Sequence, residues 1–262
     1  MTQTERRKYL IGELIKENAE YKQLTISQIP QDEKAQENLL RSLFNVRPPA
    51  PVSSAFIKVQ DEYLQEELRN KGVVDYMSLE EPEPDIYLWK GDITRLNTDG
   101  IVNAANDELL GCFVPCHACI DNAIHTSAGI QLRLACYEIM QKQRHKEKTG
   151  SAKITPAFNL PSKYVLHTVG PIVSGAVTEQ DCMLLQSCYT SCLELARQHA
   201  LKSIAFCCIS TGEFRFPNDT AARIAVRTVK DYLHTVQSGI KVVFNVFKEQ
   251  DERIYKALLR QH

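Results

Sequence analysis

Cys112, His117 and Cys119 fall within eight residues, in the segment GCFVPCHACIDNAIH, and two thiolates with one imidazole are a donor set suited to zinc. His117 and Cys119 are two apart, so in an extended segment both side chains leave the same face, and a turn at Pro115 can bring Cys112 back to meet them. Structural zinc normally takes four protein ligands, whereas three ligands and a vacant position are the catalytic arrangement. The count therefore points to chemistry, with one Zn2+ per chain. Cys116 is a rival ligand, but in an extended segment it and its neighbour His117 point opposite ways. A fourth donor from Cys116, His125 or Cys136 would instead make the site structural. Incidental thiols are the competing explanation: the chain has nine Cys, and Cys182, Cys188, Cys192, Cys207 and Cys208 lie in apolar patterns that read as core.

Other polar residues can take part in the same chemistry. Asp121 and His125 are four apart, hence on one face of the helix expected beyond the cluster; helix capping by Asp121 and a core imidazole at His125 are the plain alternatives. The run GDIT carries Asp92, and IVNAAN carries Asn103 and Asn106, whose amides offer donors and acceptors to sugar hydroxyls. Turn formation and helix capping explain such residues equally well. In STGEFRFP, the small residues Ser210, Thr211 and Gly212 form a pliable loop whose backbone amides can face a pyrophosphate, while Phe214 and Phe216 add apolar surface for a ribose or base.

These residues need a frame. Short apolar runs at 86–89, 100–103, 151–158, 164–169, 203–209 and 241–247 read as strands, and helical patterns fall at about 120–146, 179–200, 217–236 and 249–261. Strands alternating with helices of this length imply an α/β domain with a largely parallel or mixed sheet covered on both faces. Ligands in such sheets bind beyond the carboxyl ends of the strands, and GDIT, IVNAAN and STGEFRFP each follow a strand. The first 84 residues read instead as helices, with apolar stripes at Tyr9, Leu10, Leu14 and Ile15, at Leu39, Leu40, Leu43 and Phe44, and at Phe56, Val59, Tyr63 and Leu68. Such short helices are expected to pack on the following domain, with the proline-broken acidic stretch SLEEPEPD as the boundary before 85–262.

At 262 residues and 44% hydrophobic composition, the chain can build one sizeable domain plus an extension. Its 31 basic and 32 acidic residues are well mixed, which argues against a nucleic-acid partner. No apolar run reaches membrane-spanning length, and the N-terminus is too charged for a signal peptide. An odd number of irregularly spaced cysteines suits a reducing compartment, so the cytoplasm is the expected location.

Taken in order, GDIT, IVNAANDELLG, IDNAIH, YVLHTVGP and STGEFRFP resemble the motifs of a macrodomain over roughly residues 85–262. The resemblance implies a three-layer α/β fold that binds ADP-ribose. By that resemblance Asp92 accepts from the adenine amino group, the Ile93 amide lies nearby, and Asn103 and Asn106 meet the distal ribose. Gly212, Glu213 and Phe214 wrap the pyrophosphate and ribose, next to Ser210 and Thr211 of the pliable loop. Asp121 takes the place of the acidic residue in the catalytic loop of hydrolytic members, and His125 matches their helix histidine. Where those members carry a glycine run, this chain has CFVPCHACI, which looks like the zinc-containing microbial branch with its helical N-terminal extension.

That branch implies a zinc-dependent hydrolase removing mono-ADP-ribose from modified proteins. The expected linkage is an ester through Asp or Glu, and a lipoyl carrier protein modified by a companion sirtuin is a possible substrate. Asn106 and Asp121 are then the expected catalytic residues, Asn106 positioning the ribose and Asp121 accepting a proton, with ADP-ribose the product. Two other readings share the site: a non-catalytic ADP-ribose reader with a structural zinc, and a hydrolase of small ADP-ribose esters.

Overall fold

The computed structural model describes residues 1–17 and 29–260. Three helices come first: α1 (Gln3–Glu17), α2 (Glu33–Val46) and α3 (Ser54–Lys71). Asp32 starts α2 by accepting from the Ala35 amide at 2.8 Å, and Ser53 starts α3 by accepting from Phe56 at 3.2 Å, which satisfies amides that have no partner within the helix. Leu10, Leu14, Leu40, Phe44, Phe56 and Tyr63 close a small core among these helices, with Ile130 added from the rest of the chain. Each fully buried side chain of this kind contributes about 1.5–3 kcal/mol.

The strands and helices that follow are β1 (Val74–Asp75), β2 (Glu80–Glu83), β3 (Ile86–Lys90), β4 (Leu96–Asn97), β5 (Gly100–Ala105), α4 (Ile120–Ala128), α5 (Ile130–Gln143), β6 (Ala152–Pro156), β7 (Tyr164–Val169), α6 (Glu179–Gln198), β8 (Ser203–Phe206), α7 (Asn218–Val236), β9 (Lys241–Val246) and α8 (Glu249–Leu259). A seven-stranded sheet runs in the order β2-β3-β9-β8-β5-β7-β6. Its inner pairs are all parallel, and only the edge strands β2 and β6 run antiparallel. Val102, Val165, Ile204, Phe206, Val243 and Phe244 form the middle of the larger core, with Leu132, Tyr189, Val229 and Tyr255 from the helices that flank the sheet. Among the described residues no helix is long and apolar enough to cross a membrane.

Three features depart from the expected elements. The helical pattern at 120–146 is two helices, because Gly129 adopts φ +94 between α4 and α5, a conformation that only glycine takes without strain. The acidic stretch SLEEPEPD contains β2, whose alternation is hidden by glutamates and a proline that an edge strand tolerates. The pattern at 249–261 becomes α8, and its last position lies outside the described residues.

The N-terminal helices are also joined to the sheet domain by hydrogen bonds. Gln60 Oε1 accepts from the Ile130 amide at 3.0 Å, the Asn159 amide donates to Asp61 at 2.7 Å, and Gln65 donates to the Asn159 carbonyl at 3.0 Å.

Candidate functional site

Since β3, β9, β8, β5 and β7 are mutually parallel, their carboxyl ends share one edge of the sheet. The residues that follow them are Asp92 after β3, Asn106 after β5, Gly170 after β7, the loop 207–217 after β8 and Phe247 after β9. One edge of the sheet therefore collects segments more than 150 residues apart in sequence, between Asp92 and Phe247.

The metal loop lies between β5 and α4. The ligating atoms of Cys112, His117 and Cys119 all lie within 4.8 Å of one another, with Cys112 Sγ 3.6 Å from His117 Nδ1. Zinc bonds of about 2.3 Å to sulfur and about 2.0 Å to nitrogen in a tetrahedron place donor atoms roughly 3.4–3.8 Å apart, so these side chains fit a zinc ion. Cys119 is also the N-cap of α4, its sulfur accepting from the Asn122 amide at 3.4 Å, at the positive end of a helix that favours a thiolate. Burial pushes the Cys119 thiol up, and the neighbouring Cys112 adds to the effect. Two thiolates at this spacing coexist when a cation lies between them.

None of the three rival donors joins this set. Cys116 turns away through a left-handed φ of 52°, and its sulfur sits 3.2 Å from Ser42 Oγ on α2. His125 and Cys136 belong to a second, fully interior group with His167. In that group His167 Nδ1 lies 3.2 Å from the Asn103 amide nitrogen, and Nε2 lies 2.9 Å from Thr155 Oγ1 and 3.6 Å from Cys136 Sγ. Burial depresses the pKa of His167 to about 3 and that of His125 well below the ordinary value, so both rings are neutral.

Asp121 is buried beneath the loop, where Oδ1 accepts from Asn103 Nδ2 at 2.8 Å and stands 3.5 Å from His125 Nε2. Burial pushes its carboxyl up to about 6 against the opposing hydrogen bond from Asn103 and the positive charge of Arg133. Asn103 itself is fully buried, its amide nitrogen engaged by Asp121 and His167 and its Oδ1 without a partner. Asn106 is half-buried and holds the turn that enters the metal loop, donating to the Gly111 carbonyl at 3.1 Å and accepting from the Glu108 amide at 3.1 Å.

Asp92 caps a short 3-10 turn, accepting from the Thr94 amide at 3.0 Å and the Thr94 hydroxyl at 2.7 Å, and Ile93 is buried beneath it. The loop after β8 turns at Ser210 (φ 64°) and Arg215 (φ 59°) and closes through the Phe216 amide onto the Ser210 carbonyl at 2.9 Å. Thr211 Oγ1 donates to the Cys208 carbonyl at 3.0 Å. Among the described residues the backbone amides of Gly212, Glu213 and Phe214 make no hydrogen bond, so three consecutive donors are available to an anion. Phe214 is half-buried, whereas Phe216 is 1% exposed and belongs to the core. That corrects the expectation that both phenylalanines offer surface to a ligand: the turn at Arg215 sends the second one inward.

Sequence reasoning missed several residues. Phe247 is 78% exposed just past β9, beside the Asp92 turn, where Asn245 donates to the Gly91 carbonyl at 3.0 Å. Arg133 is buried on α5, donates to the Leu110 carbonyl at 2.6 Å and lies 4.2 Å from the Phe113 ring centre. Arg41 of α2 reaches the metal loop from the N-terminal helices. An exposed aromatic at a strand end is a signal sequence analysis can use; the two arginines carry none, because long side chains on amphipathic helices normally face water.

A mixed α/β sheet with free backbone amides beyond the carboxyl ends of its parallel strands is the architecture in which ligands bind at that edge. A sequence profile of the Macro domain family matches residues 102–225. The chain is 57% identical to a protein-ADP-ribose hydrolase of Treponema medium over 263 residues, covering 99% of this chain and 100% of that protein. It is 52% identical to a Staphylococcus aureus (strain MSSA476) protein of the same name, covering 83% and 82%. Among solved structures it resembles the Trypanosoma brucei macrodomain in complex with ADP-ribose (TM-score 0.66, 30% identity, 84% of this chain and 94% of that one). It also resembles the Oceanobacillus iheyensis macrodomain with ADP (TM-score 0.59, 37% identity, 67% and 90%). The chain belongs to the macrodomain family.

Proposed function

We propose that this chain is a zinc-dependent protein-ADP-ribose hydrolase that removes mono-ADP-ribose from ester-linked Asp or Glu. The observation that carries this reading is the convergence of Cys112, His117 and Cys119 in the loop directly above Asp121. The names of the similar hydrolases support the reaction, and the ligand in the Trypanosoma complex supports ADP-ribose as the bound group. A lipoyl carrier protein is the candidate substrate, and the cytoplasm the candidate location.

In this reading Asp92 and the Ile93 amide take the adenine edge, with the exposed ring of Phe247 as a stacking surface. Ser210, Thr211 and the free amides of Gly212, Glu213 and Phe214 hold the pyrophosphate. Asn106 orients the distal ribose at the turn into the metal loop, and Asn103 supports Asp121 from below. With Oδ1 held by Asn103, Asp121 Oδ2 takes the proton of a water whose oxygen adds to the anomeric carbon. The bond to the ester oxygen breaks with its electron pair, and the modified residue leaves as a carboxylate. Cys112, His117 and Cys119 would hold the zinc, which when bound would supply positive charge to the reaction.

The test is direct. Purified protein is expected to contain about one zinc per chain, and a strong chelator to stop release of ADP-ribose from an ester-linked modified protein. Cys119→Ala and His117→Ala should abolish turnover while ADP-ribose binding persists. Near wild-type release by either variant removes the metal from the mechanism, and binding without release from the wild type favours a reader.

A further inference from the structure

Arg41, Ser42 and Asn45 of α2 send side chains to the metal loop, and the Asn38 carbonyl on the same helix face joins them. Arg41 stands at the centre. Its Nε and Nη2 donate to Asn122 Oδ1 at 3.1 and 2.8 Å, and Nη2 also donates to the His117 carbonyl at 2.9 Å. Asn122, itself fully buried, passes the contact on: its side chain donates to the Val114 carbonyl at 3.0 Å and its amide to Cys119 Sγ at 3.4 Å. Asn45 Oδ1 accepts from the Cys116 amide at 2.9 Å, and the Cys116 sulfur lies 3.2 Å from Ser42 Oγ and 3.4 Å from the Asn38 carbonyl. The backbone at Cys116 and His117 is thus held by an element 71 to 76 residues away in sequence.

The bonds from α2 land on the His117 carbonyl, on Asn122, and on the amide and sulfur of Cys116, so none of them occupies a donor atom of Cys112, His117 or Cys119. A loop that must bring three donors to one point loses conformational entropy when the metal arrives. A clamp formed in advance removes part of that cost and tightens binding. Arg41 suits the task because one planar fork serves two acceptors at once, which a lysine ammonium on a flexible stem does far less well.

We propose that Arg41 is a positioning residue for the metal site, and that the polar face of α2 presets the Cys112–Cys119 loop so that the N-terminal helices are part of the active unit. The inference rests on the zinc reading above and extends it to the helical extension. Loss of an outer partner of this kind typically weakens metal binding about 10–100-fold.

The experiment compares wild type, Arg41→Ala and Arg41→Lys in the full chain by three readouts. Transfer of zinc to a chromogenic chelator is expected to quicken roughly tenfold or more in Arg41→Ala, with Arg41→Lys intermediate. Affinity for ADP-ribose, by titration calorimetry, should stay within about twofold, because Arg41 bonds neither Asp92 nor the loop after β8, and that loop meets the clamped segment through the half-exposed pair of Glu213 and His117 at 3.6 Å. Hydrogen exchange across 112–119 in metal-stripped protein should quicken in both variants. If Arg41→Ala does not fold, Arg41→Lys carries the comparison. A folded Arg41→Lys with wild-type exchange in 112–119 and wild-type zinc transfer overturns the proposal. A wild type that binds no zinc overturns the zinc reading, while the exchange comparison still decides the clamp.

Discussion

Gly170 lies so close beneath Ser210 that a β-carbon at residue 170 would stand 2.0 Å from the Ser210 Oγ and 2.9 Å from Ile209 Cγ2. The end of β7 and the start of the loop after β8 are therefore in contact through a glycine, and the three free amides of that loop depend on this approach.

Gly170→Ala should push the loop outward. The expected overpacking cost is about 1–3 kcal/mol in stability, with a larger proportional loss of ADP-ribose affinity because the amides at 212–214 lose their aim. Ser210 already has φ 64° and a buried hydroxyl without a partner, so Gly170→Ala combined with Ser210→Gly should recover part of the lost binding, the Ile209 contact remaining. Calorimetric titration of both variants checks this; equal affinities for Gly170→Ala and wild type would disprove the contact's role.

Gly111 is the pivot of the metal loop, with φ +79° and space for a β-carbon only 2.8 Å from His125 Cγ. Alanine there carries roughly 1–2 kcal/mol of backbone strain and meets a buried ring that cannot retreat. Gly111→Ala is expected to lower the melting temperature by several degrees and to release metal faster, while the Asp92 end of the cleft is unaffected. Thermal melts and chelator kinetics together separate the two effects.

His167 gives the protein an acid limit. Burial holds its folded pKa at about 3, below the ordinary 6.5, with Asn103, Thr155, Cys136 and the His125 ring as its neighbours. Above pH 6.5 the ring is neutral in both states and this group's contribution is complete. As pH falls from 6.5 toward 3 the unfolded chain gains a proton that the folded one does not, so stability declines by up to about 1.4 kcal/mol per pH unit from this group. His125 acts in the same direction. Urea unfolding of His167→Gln at pH 7 and pH 5 should show a smaller loss between the two than wild type, and an equal loss contradicts the assignment.

Phe247 offers a different kind of test because it is exposed and not part of the core. Phe247→Ala should leave the melting temperature unchanged and weaken ADP-ribose binding by about 1–3 kcal/mol, the usual worth of a base on an aromatic face. ADP-ribose and ribose 5-phosphate titrated side by side place the effect: only the ligand with adenine should respond.

The alternation of apolar runs with helical patterns is enough to predict a largely parallel or mixed sheet, and so to predict that GDIT, IVNAAN and STGEFRFP meet at one edge. These are local signals, set by strand and helix periodicity. Likewise, the spacing of Cys112, His117 and Cys119 carried the metal expectation, since their donors are brought together by a turn of only eight residues. What lay beyond sequence depends on dihedral angles and distant packing. The break at Gly129, the outward swing of Cys116 and the inward swing of Phe216 each follow from one backbone turn. The hold of Arg41 on the His117 carbonyl spans 76 residues. Periodicity tells which face of a helix is polar; only the packed chain decides whether that face meets water or another loop.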